Sequence, residues 1–167
     1  VKALGIDEFR RQVEEEWQHI KDGPNTIDEQ ELKRVGQYFD VMPYQQLPAH
    51  DASFDAAISS NPAFAAWVKR CVHAHKQPGY RAVTLSLKPH GKAPGDATSE
   101  QMRVVADLAD AYSFAELRVS HEQNLILTDV KLSDLLPLWE KARAAGLATP
   151  NIGLLTDIIC CPGGDFC

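Results

Sequence analysis

Apolar residues recur every three to four positions in several stretches of the chain, which is typical of helices with one apolar face. This pattern predicts helices over residues 6–22, 27–39, 62–70, 99–112 and 134–145. Four of them follow a residue whose side-chain oxygen can satisfy the free amides of a first turn. The expected caps are Thr26, Asn61, Thr98 and Ser133, and Thr98 forms a capping box with Gln101.

Apolar and polar residues alternate strictly from Tyr80 to Lys88, which predicts a strand with one buried face. Shorter strands are predicted at residues 116–120 and 125–130, with a tight connection between them. A last apolar run over 152–159 is expected to be an exit strand. Loops are predicted at 40–60, which has no stable period, and at 89–97, which is rich in glycine and proline.

The order of these elements predicts an α+β fold. From Tyr80 onward it gives a ferredoxin-like half-sandwich (strand-helix-strand-strand-helix), with three strands covered on one side by two helices. An N-terminal helical segment precedes it. We expect a lead-in over residues 1–70, the half-domain over 71–148 and the start of another domain over 149–167. One sheet face or edge stays open, so a partner from outside the chain is expected.

Composition limits the classes of function. The chain has 167 residues and a formal net charge of −6, which argues against a nucleic-acid-binding domain. No apolar run reaches the roughly 18 residues of a membrane helix, and the N-terminus does not resemble a signal peptide. No membrane association is therefore expected, and the cytoplasm is the expected compartment. The stretch 56–95 lacks acidic residues and is either a solvated basic face or a surface for an acidic partner.

The four cysteines are Cys71, Cys160, Cys161 and Cys167. The spacing of the last two suits thiolates around one iron–sulfur cluster better than a disulfide framework, although a four-iron cluster needs two more thiolates. A zinc site built from Cys160, Cys161 and Cys167 is the alternative. Cys71 and Cys160 are otherwise expected to be small apolar core residues.

Three segments of the chain carry a resemblance to a known family. They are QPGYRAVTLSLK at 77–88, RVSHEQNL at 118–125 and GLATPN at 146–151, and Cys161-x5-Cys167 follows them. In this order they resemble the second half of the assimilatory nitrite and sulfite reductases, which carry sirohaem and a [4Fe-4S] cluster. The first helix resembles the segment that joins the two halves of those enzymes.

The resemblance implies a ligand set for the cluster. In the family, a Cys-x5-Cys pair and a later Cys-x3-Cys pair bind it, and Cys161 and Cys167 correspond to the first pair. The second pair does not follow here, so we expect the chain to be a truncated portion of a longer enzyme. Residues 149–167 would then be the start of the sirohaem and cluster-binding domain, and this portion alone is expected to lack both cofactors and to be inactive.

The resemblance also places the strand pair 118–124 at the edge of the sirohaem. Arg118 could pair with a carboxylate of the macrocycle, and Ser120, Gln123 and Asn124 could donate hydrogen bonds to its periphery. The alternative is that these amides satisfy their own backbone and that Arg118 lies on a wet sheet face. No catalytic residue of the family maps onto this chain, because the basic substrate-binding residues belong to its first half.

The implied activity is the six-electron reduction of sulfite to sulfide or of nitrite to ammonia. Sirohaem iron binds the small anion, and the coupled cluster passes electrons one at a time. The expected partners are sulfite or nitrite, the missing first-half domain, and ferredoxin or a flavoprotein as electron donor. The alternative is a non-catalytic interaction module that binds a partner by sheet packing.

Overall fold

The computed structural model describes residues 1–161 and 163–165. The chain divides into two compact units, Val1–Pro43 and Tyr44–Cys167. In the described part of the chain, no helix is both long and apolar enough to cross a bilayer. The candidate site lies in the larger unit.

The first unit contains helix α1 (Ile6–Ile20), helix α2 (Glu29–Gly36) and a 3-10 turn at Gln37–Phe39. The prediction that Thr26 caps the second helix is wrong. The Asp28 carboxylate accepts the amide of Glu31 at 2.7 Å, while the Thr26 hydroxyl donates to the Lys21 carbonyl at 2.7 Å. Thr26 therefore completes the end of α1, and the stronger acceptor begins α2.

The larger unit begins with helices α3 (Ala52–Ser60) and α4 (Pro62–Cys71). The prediction of a loop over the whole of 40–60 is wrong for its second half, because Asp51 caps α3 by accepting the amides of Ser53 and Phe54. The cap Asn61 is confirmed, since its side chain accepts the Phe64 amide at 3.1 Å.

The described residues form a four-stranded antiparallel sheet in the order β1-β2-β4-β3. Its strands are β1 (Val72–Ala74), β2 (Tyr80–Leu85), β3 (Leu117–Val119) and β4 (Leu125–Lys131). The α+β ferredoxin-like class is confirmed, but the predicted three strands are one too few. Strand β1 has three residues and follows α4 directly, so it has neither the length nor the boundary signal of a strand.

Helices α5 (Ser99–Tyr112) and α6 (Leu135–Ala144), together with α4, pack against one face of this sheet. The capping box that begins α5 is confirmed, with Thr98 and Gln101 each accepting the other's amide. The predicted cap Ser133 is wrong, because it lies inside a 3-10 turn at Leu132–Asp134 that leads into α6. Gly146 ends α6 with φ of 74°, as predicted.

The core of the larger unit lies between the helices and the covered sheet face. Its largest fully buried side chains include Trp67, Phe64, Leu85, Leu108 and Leu127. Helix α4 therefore supplies core side chains to the sheet. The expectation that the half-domain begins at residue 71 stays a prediction.

The segment after α6 does not form the predicted exit strand. Residues 152–159 contain a 3-10 turn at Leu155–Asp157. The turn forms because the Asp157 carboxylate accepts the amide of Gly153, whose φ is 74°. A left-handed glycine with a carboxylate acceptor favours a turn over an extended ladder.

Candidate functional site

The turn between β3 and β4 forms the centre of the candidate site. Its backbone is closed by the Ser120 amide, which donates to the Asn124 carbonyl at 2.9 Å, and by the Gln123 amide, which donates to the Ser120 carbonyl at 3.2 Å. The Ser120 hydroxyl accepts the Asn124 amide at 3.2 Å. Gln123 has φ of 56°, a conformation that non-glycine residues rarely adopt. The turn therefore has a fixed and sparsely populated geometry.

The side chain of Gln123 pairs with the backbone of Cys160. Its Nε2 donates to the Cys160 carbonyl at 2.8 Å, and its Oε1 accepts the Cys160 amide at 3.0 Å. The amide thus makes the pair of bonds that a neighbouring strand would make. This contact places the residue before Cys161 beside the turn.

Asn124 is buried and makes two contacts that leave the turn. Its Oδ1 accepts the Leu87 amide at 3.2 Å, and its Nδ2 donates to Oδ1 of Asp157 at 2.9 Å. Asn124 therefore links the segment that follows β2, the turn and the segment that leads to the cysteines. Both its polar side-chain atoms are bound to the protein itself.

A buried ion pair lies next to Asn124. Lys88 Nζ is 2.7 Å from Oδ1 of Asp157, and the two side chains are only 2% and 9% exposed. Burial, the largest single effect, raises the pKa of the Asp157 carboxyl, but hydrogen bonds from Lys88, Asn124 and Gly153 together lower this pKa below its ordinary value. Asp157 is therefore a carboxylate at neutral pH.

Asn151 also belongs to the hydrogen-bond network around Lys88 and Asp157. Its Nδ2 donates to the Lys88 carbonyl at 3.0 Å and to the Thr156 carbonyl at 3.2 Å. Its buried Oδ1 has no hydrogen-bond partner among the described residues. Asn151 belongs to the segment at 146–151 that carries the family resemblance, and here it fixes the start of the chain that returns to the turn.

A cavity of about 470 Å³, mainly apolar with several polar groups in its wall, opens on the sheet face away from α5 and α6. Its lining includes His73, Thr84, Ser120, Ile126, Ile152 and Asp157. His73 Nε2 lies 3.0 Å from the Thr84 hydroxyl, so the cavity wall carries hydrogen-bonding groups on β1 and β2 as well as on the turn. This open face lies beside the predicted cofactor residues.

The predicted site residues fall into two groups. Ser120, Gln123 and Asn124 come together in one turn, and the last two are engaged by the protein's own chain. Arg118 lies on β3 opposite Ile126, exposed on the open sheet face. The roles of all four toward a cofactor stay predictions.

Sequence reasoning missed Lys88, Asp157 and Asn151. The strict alternation that identified β2 placed Lys88 on the polar face, where a lysine is normally solvated, and nothing in the pattern paired it with Asp157. The two are 69 positions apart. No local signal could have revealed this pair.

The cysteines were interpreted partly correctly. Cys160 and Cys161 are both exposed, so the prediction that Cys160 is a core residue is wrong. Gln123 holds the backbone of Cys160 at the surface of the turn, away from the core. Cys71 is buried as predicted, and burial raises the pKa of its thiol to about 12. Cys167 lies outside the described residues.

The donor chemistry of this segment suits a thiolate-ligated cluster, but its described part supplies too few ligands. Within residues 1–161 and 163–165, no three His, Cys, Asp or Glu side chains gather as a metal site would require. Of the two predicted cluster ligands, only Cys161 can be located in the described part. A complete site would need further thiolates.

Comparison with known proteins gives one family and a set of relatives. Residues 73–145 match the family described as the nitrite/sulfite reductase ferredoxin-like half domain. Among curated proteins, the chain is similar to the chloroplastic ferredoxin–nitrite reductase of Betula pendula, with 33% identity over 97 residues, which is 58% of this chain and 16% of the relative. That of Zea mays is 36% identical over 101 residues, covering 58% and 16%.

A bacterial relative gives the same result. The ferredoxin–nitrite reductase of Synechococcus elongatus is 31% identical over 109 residues, which is 64% of this chain and 20% of the relative. The chain therefore spans a sixth to a fifth of the length of the curated relatives it matches. The family match includes β2, α5, β3, β4 and all of α6.

Proposed function

We propose that this chain is part of an oxidoreductase that reduces nitrite or sulfite, because residues 73–145 match the nitrite/sulfite reductase ferredoxin-like half-domain family. The family match is the observation that carries the proposal. The relatives are named ferredoxin–nitrite reductases, which favours nitrite as the substrate and ferredoxin as the electron donor. Sulfite and a flavoprotein donor are the alternatives.

The structure supports a role for the chain as one half of a paired domain. The four-stranded sheet is covered on one face by α5 and α6 and carries an open, mainly apolar cavity on the other. We propose that a second half-domain of the same longer polypeptide packs against this unit. An apolar sheet face is normally buried against another layer. We propose that this partner and a cofactor together cover the open face.

The proposed cofactors are sirohaem and a [4Fe-4S] cluster. Together they supply the iron that binds the anion and the electrons for a six-electron reduction. Within this chain, Cys161 and Cys167 would provide thiolates for the cluster. Arg118 would pair with a carboxylate at the edge of the macrocycle, since a guanidinium suits planar recognition of carboxylates.

The turn would determine where these groups lie. Gln123 holds Cys160 at its backbone, so the distance between the turn and Cys161 is set by one residue of chain. Ser120 borders the cavity and has a hydroxyl that can donate to a ligand there.

For the compartment we propose the cytoplasm, which fractionation of the source cells would test.

The proposal is tested with the full-length protein that contains this chain. We expect a purified sample to show haem absorbance, to contain iron and to oxidise reduced ferredoxin in the presence of nitrite or sulfite. Cys161→Ser should lower the iron content and abolish turnover, because one thiolate ligand is lost. Cys160→Ser is the matched control, since both cysteines are exposed neighbours but only Cys161 is a predicted ligand.

Two results would contradict the proposal. A full-length protein without iron and haem absorbance would favour the non-catalytic interaction module. Equal iron loss in the two serine variants would remove the assignment of Cys161. The ratio of the turnover rates with nitrite and sulfite would decide the substrate.

A further inference from the structure

We propose that Lys88 and Asp157 are a positioning pair that fixes the chain leading to Cys160 and Cys161 against the turn between β3 and β4. The inference rests on the proposed function in one respect: Cys161 is a metal ligand only if that function is correct. The conformation of the segment can be measured either way.

The ammonium group of Lys88 joins three parts of the chain. It donates to the carbonyl of Glu122 in the turn, to the carbonyl of Asp157 at 2.9 Å and to the Asp157 carboxylate at 2.7 Å. An ammonium has three N–H donors, and each of them therefore has an acceptor. The segment that follows β2, the turn and the 3-10 turn at Leu155–Asp157 thus meet at one atom.

The carboxylate of Asp157 is equally occupied. Oδ1 accepts from Lys88 and from Asn124, and Oδ2 accepts the Gly153 amide at 2.9 Å. A buried charge that loses its partner remains desolvated and unpaired, which is strongly unfavourable. The segment can therefore leave the turn only if the Lys88 ammonium and the Asp157 carboxylate separate from each other.

A buried ion pair is a weak source of stability compared with apolar packing, but it can define one arrangement among several. Here the arrangement has a second attachment, since the neighbouring turn residue Gln123 binds the backbone of Cys160. The segment is thus held at residue 157 by charge and at residue 160 by a pair of neutral hydrogen bonds. Cys161 follows the second attachment immediately.

This arrangement prepares the Cys161 thiol to bind a metal. Cys160 and Cys161 are exposed, whereas the backbone that precedes them is fixed. Ordering a ligand side chain before metal arrives lowers the entropy that binding must overcome, and outer contacts are known to orient metal ligands in this way. Lys88 and Asp157 touch neither the thiols nor a substrate, so they are positioning residues.

Hydrogen exchange of backbone amides in the 167-residue chain tests the pair directly. In Lys88→Met, which keeps the unbranched apolar stem and removes the ammonium group, the amides of Gly153 and Cys160 should exchange at least about tenfold faster because the bonds that protect them open locally. Amides of the β2–β4 ladder should keep their rates. Lys88→Arg retains the charge and should recover at least part of the protection.

Two controls make the result specific. Lys92→Met removes an exposed lysine from the loop that follows β2 and should change no exchange rate. Asp157→Asn removes the other charge at constant volume and should reproduce the effect of Lys88→Met. Unchanged exchange at Cys160 in both variants would overturn the proposal. So would loss of protection throughout the sheet in both, because the pair would then support the whole fold.

The full-length protein supplies a second readout. We expect Lys88→Met to lower the iron content per chain at least twofold or to change the low-temperature EPR signal of the reduced cluster, and Lys92→Met to do neither. If the unmodified protein holds no iron, the proposed function fails while the exchange result still decides the positioning pair. If it holds iron and Lys88→Met leaves iron content and spectrum unchanged, the positioning role toward the metal is wrong.

Discussion

The Tyr44 hydroxyl donates a 2.6 Å hydrogen bond to Oδ1 of Asp129, a residue 85 positions later in the chain. The same oxygen lies 3.2 Å from Nε2 of His75. Asp129 lies where the β2–β4 ladder shifts register between Arg81 and Val83, and such irregularities redirect a side chain. The contact attaches the beginning of the larger unit to its sheet.

This bond predicts a stability loss at alkaline pH. Burial and the hydrogen bond to Asp129 raise the pKa of Tyr44 to about 12. An unfolded tyrosine ionises near pH 10, so the folded state favours the neutral phenol. The contribution is complete below pH 10 and is lost between pH 10 and 12. Over this range the urea midpoint of the wild type should fall more steeply than that of Tyr44→Phe, because phenylalanine does not ionise.

Tyr112→Phe is the matched control for this experiment. Tyr112 is half-buried at the end of α5, and its ring lies 4.9 Å from the Lys141 ammonium. Its substitution should leave the alkaline slope unchanged. A parallel fall of midpoint in wild type and Tyr44→Phe would show that the Tyr44 phenol ionises as it does in the unfolded chain.

The cysteines should differ sharply in reactivity. Burial raises the pKa of Cys71 from 9.0 to about 12, so at neutral pH its thiolate fraction is about a thousandfold below that of an ordinary thiol. Iodoacetamide at pH 8 should modify the exposed Cys160 and Cys161 and leave Cys71 unmodified. Peptide mass spectrometry after timed quenching gives the rate at each thiol.

The same reaction in 8 M urea is the control, since every thiol should then react at a similar rate. Rapid modification of Cys71 in the native chain would mean that α4 opens locally at its C-terminal end. It would also contradict the packing of the Cys71 thiol against the Thr149 carbonyl.

Local signals predicted the parts of the fold that depend on local chemistry. The capping box at Thr98, the cap at Asn61 and the alternation along β2 each involve residues within a few positions of one another, so the sequence contains the whole interaction. Strand β1 and helix α3 were missed. Both are short, and their formation depends on contacts with the sheet and the core, which outweigh weak intrinsic preference.

In the candidate site, too, local contacts were predicted and contacts between distant residues were not. The motif at 118–125 correctly brought Ser120, Gln123 and Asn124 into one turn because a tight strand connection is local. The partners of that turn could not be predicted. Asp157 and Cys160 lie 33 and 37 positions away from Asn124 and Gln123, and hydrophobic periodicity carries no information about pairing between polar side chains.

Removal of the cap of α5 should cost a moderate amount of stability. In Thr98→Ala the Gln101 amide loses its side-chain acceptor, so we expect the free energy of unfolding to fall by about 1 kcal/mol. Equilibrium urea denaturation followed by circular dichroism measures the change. Thr98→Ser keeps the hydroxyl and should retain most of the stability.

Ser99→Ala tests whether position or cap matters. Ser99 is the exposed first residue of the helix, beside the cap. We expect its substitution to change stability by less than about 0.5 kcal/mol, the range of ordinary surface substitutions. Equal losses in Thr98→Ala and Ser99→Ala would contradict a specific role for the Thr98 hydroxyl.

The ion pair of Asp157 predicts an acid-sensitive contribution to stability. Burial raises its pKa, but bonds from Lys88, Asn124 and Gly153 bring the net pKa below the ordinary value of 3.8. A carboxyl whose folded pKa is lowered stabilises the protein above its unfolded pKa, and this contribution is lost as pH falls through the folded pKa. The difference in unfolding free energy between wild type and Asp157→Asn should therefore be constant from pH 7 to about pH 5 and shrink below pH 4.

Asp96→Asn, at an exposed aspartate in the loop before α5, should show no such dependence. A wild-type advantage that persists undiminished at pH 2.5 would mean that the Asp157 contribution does not depend on its charge.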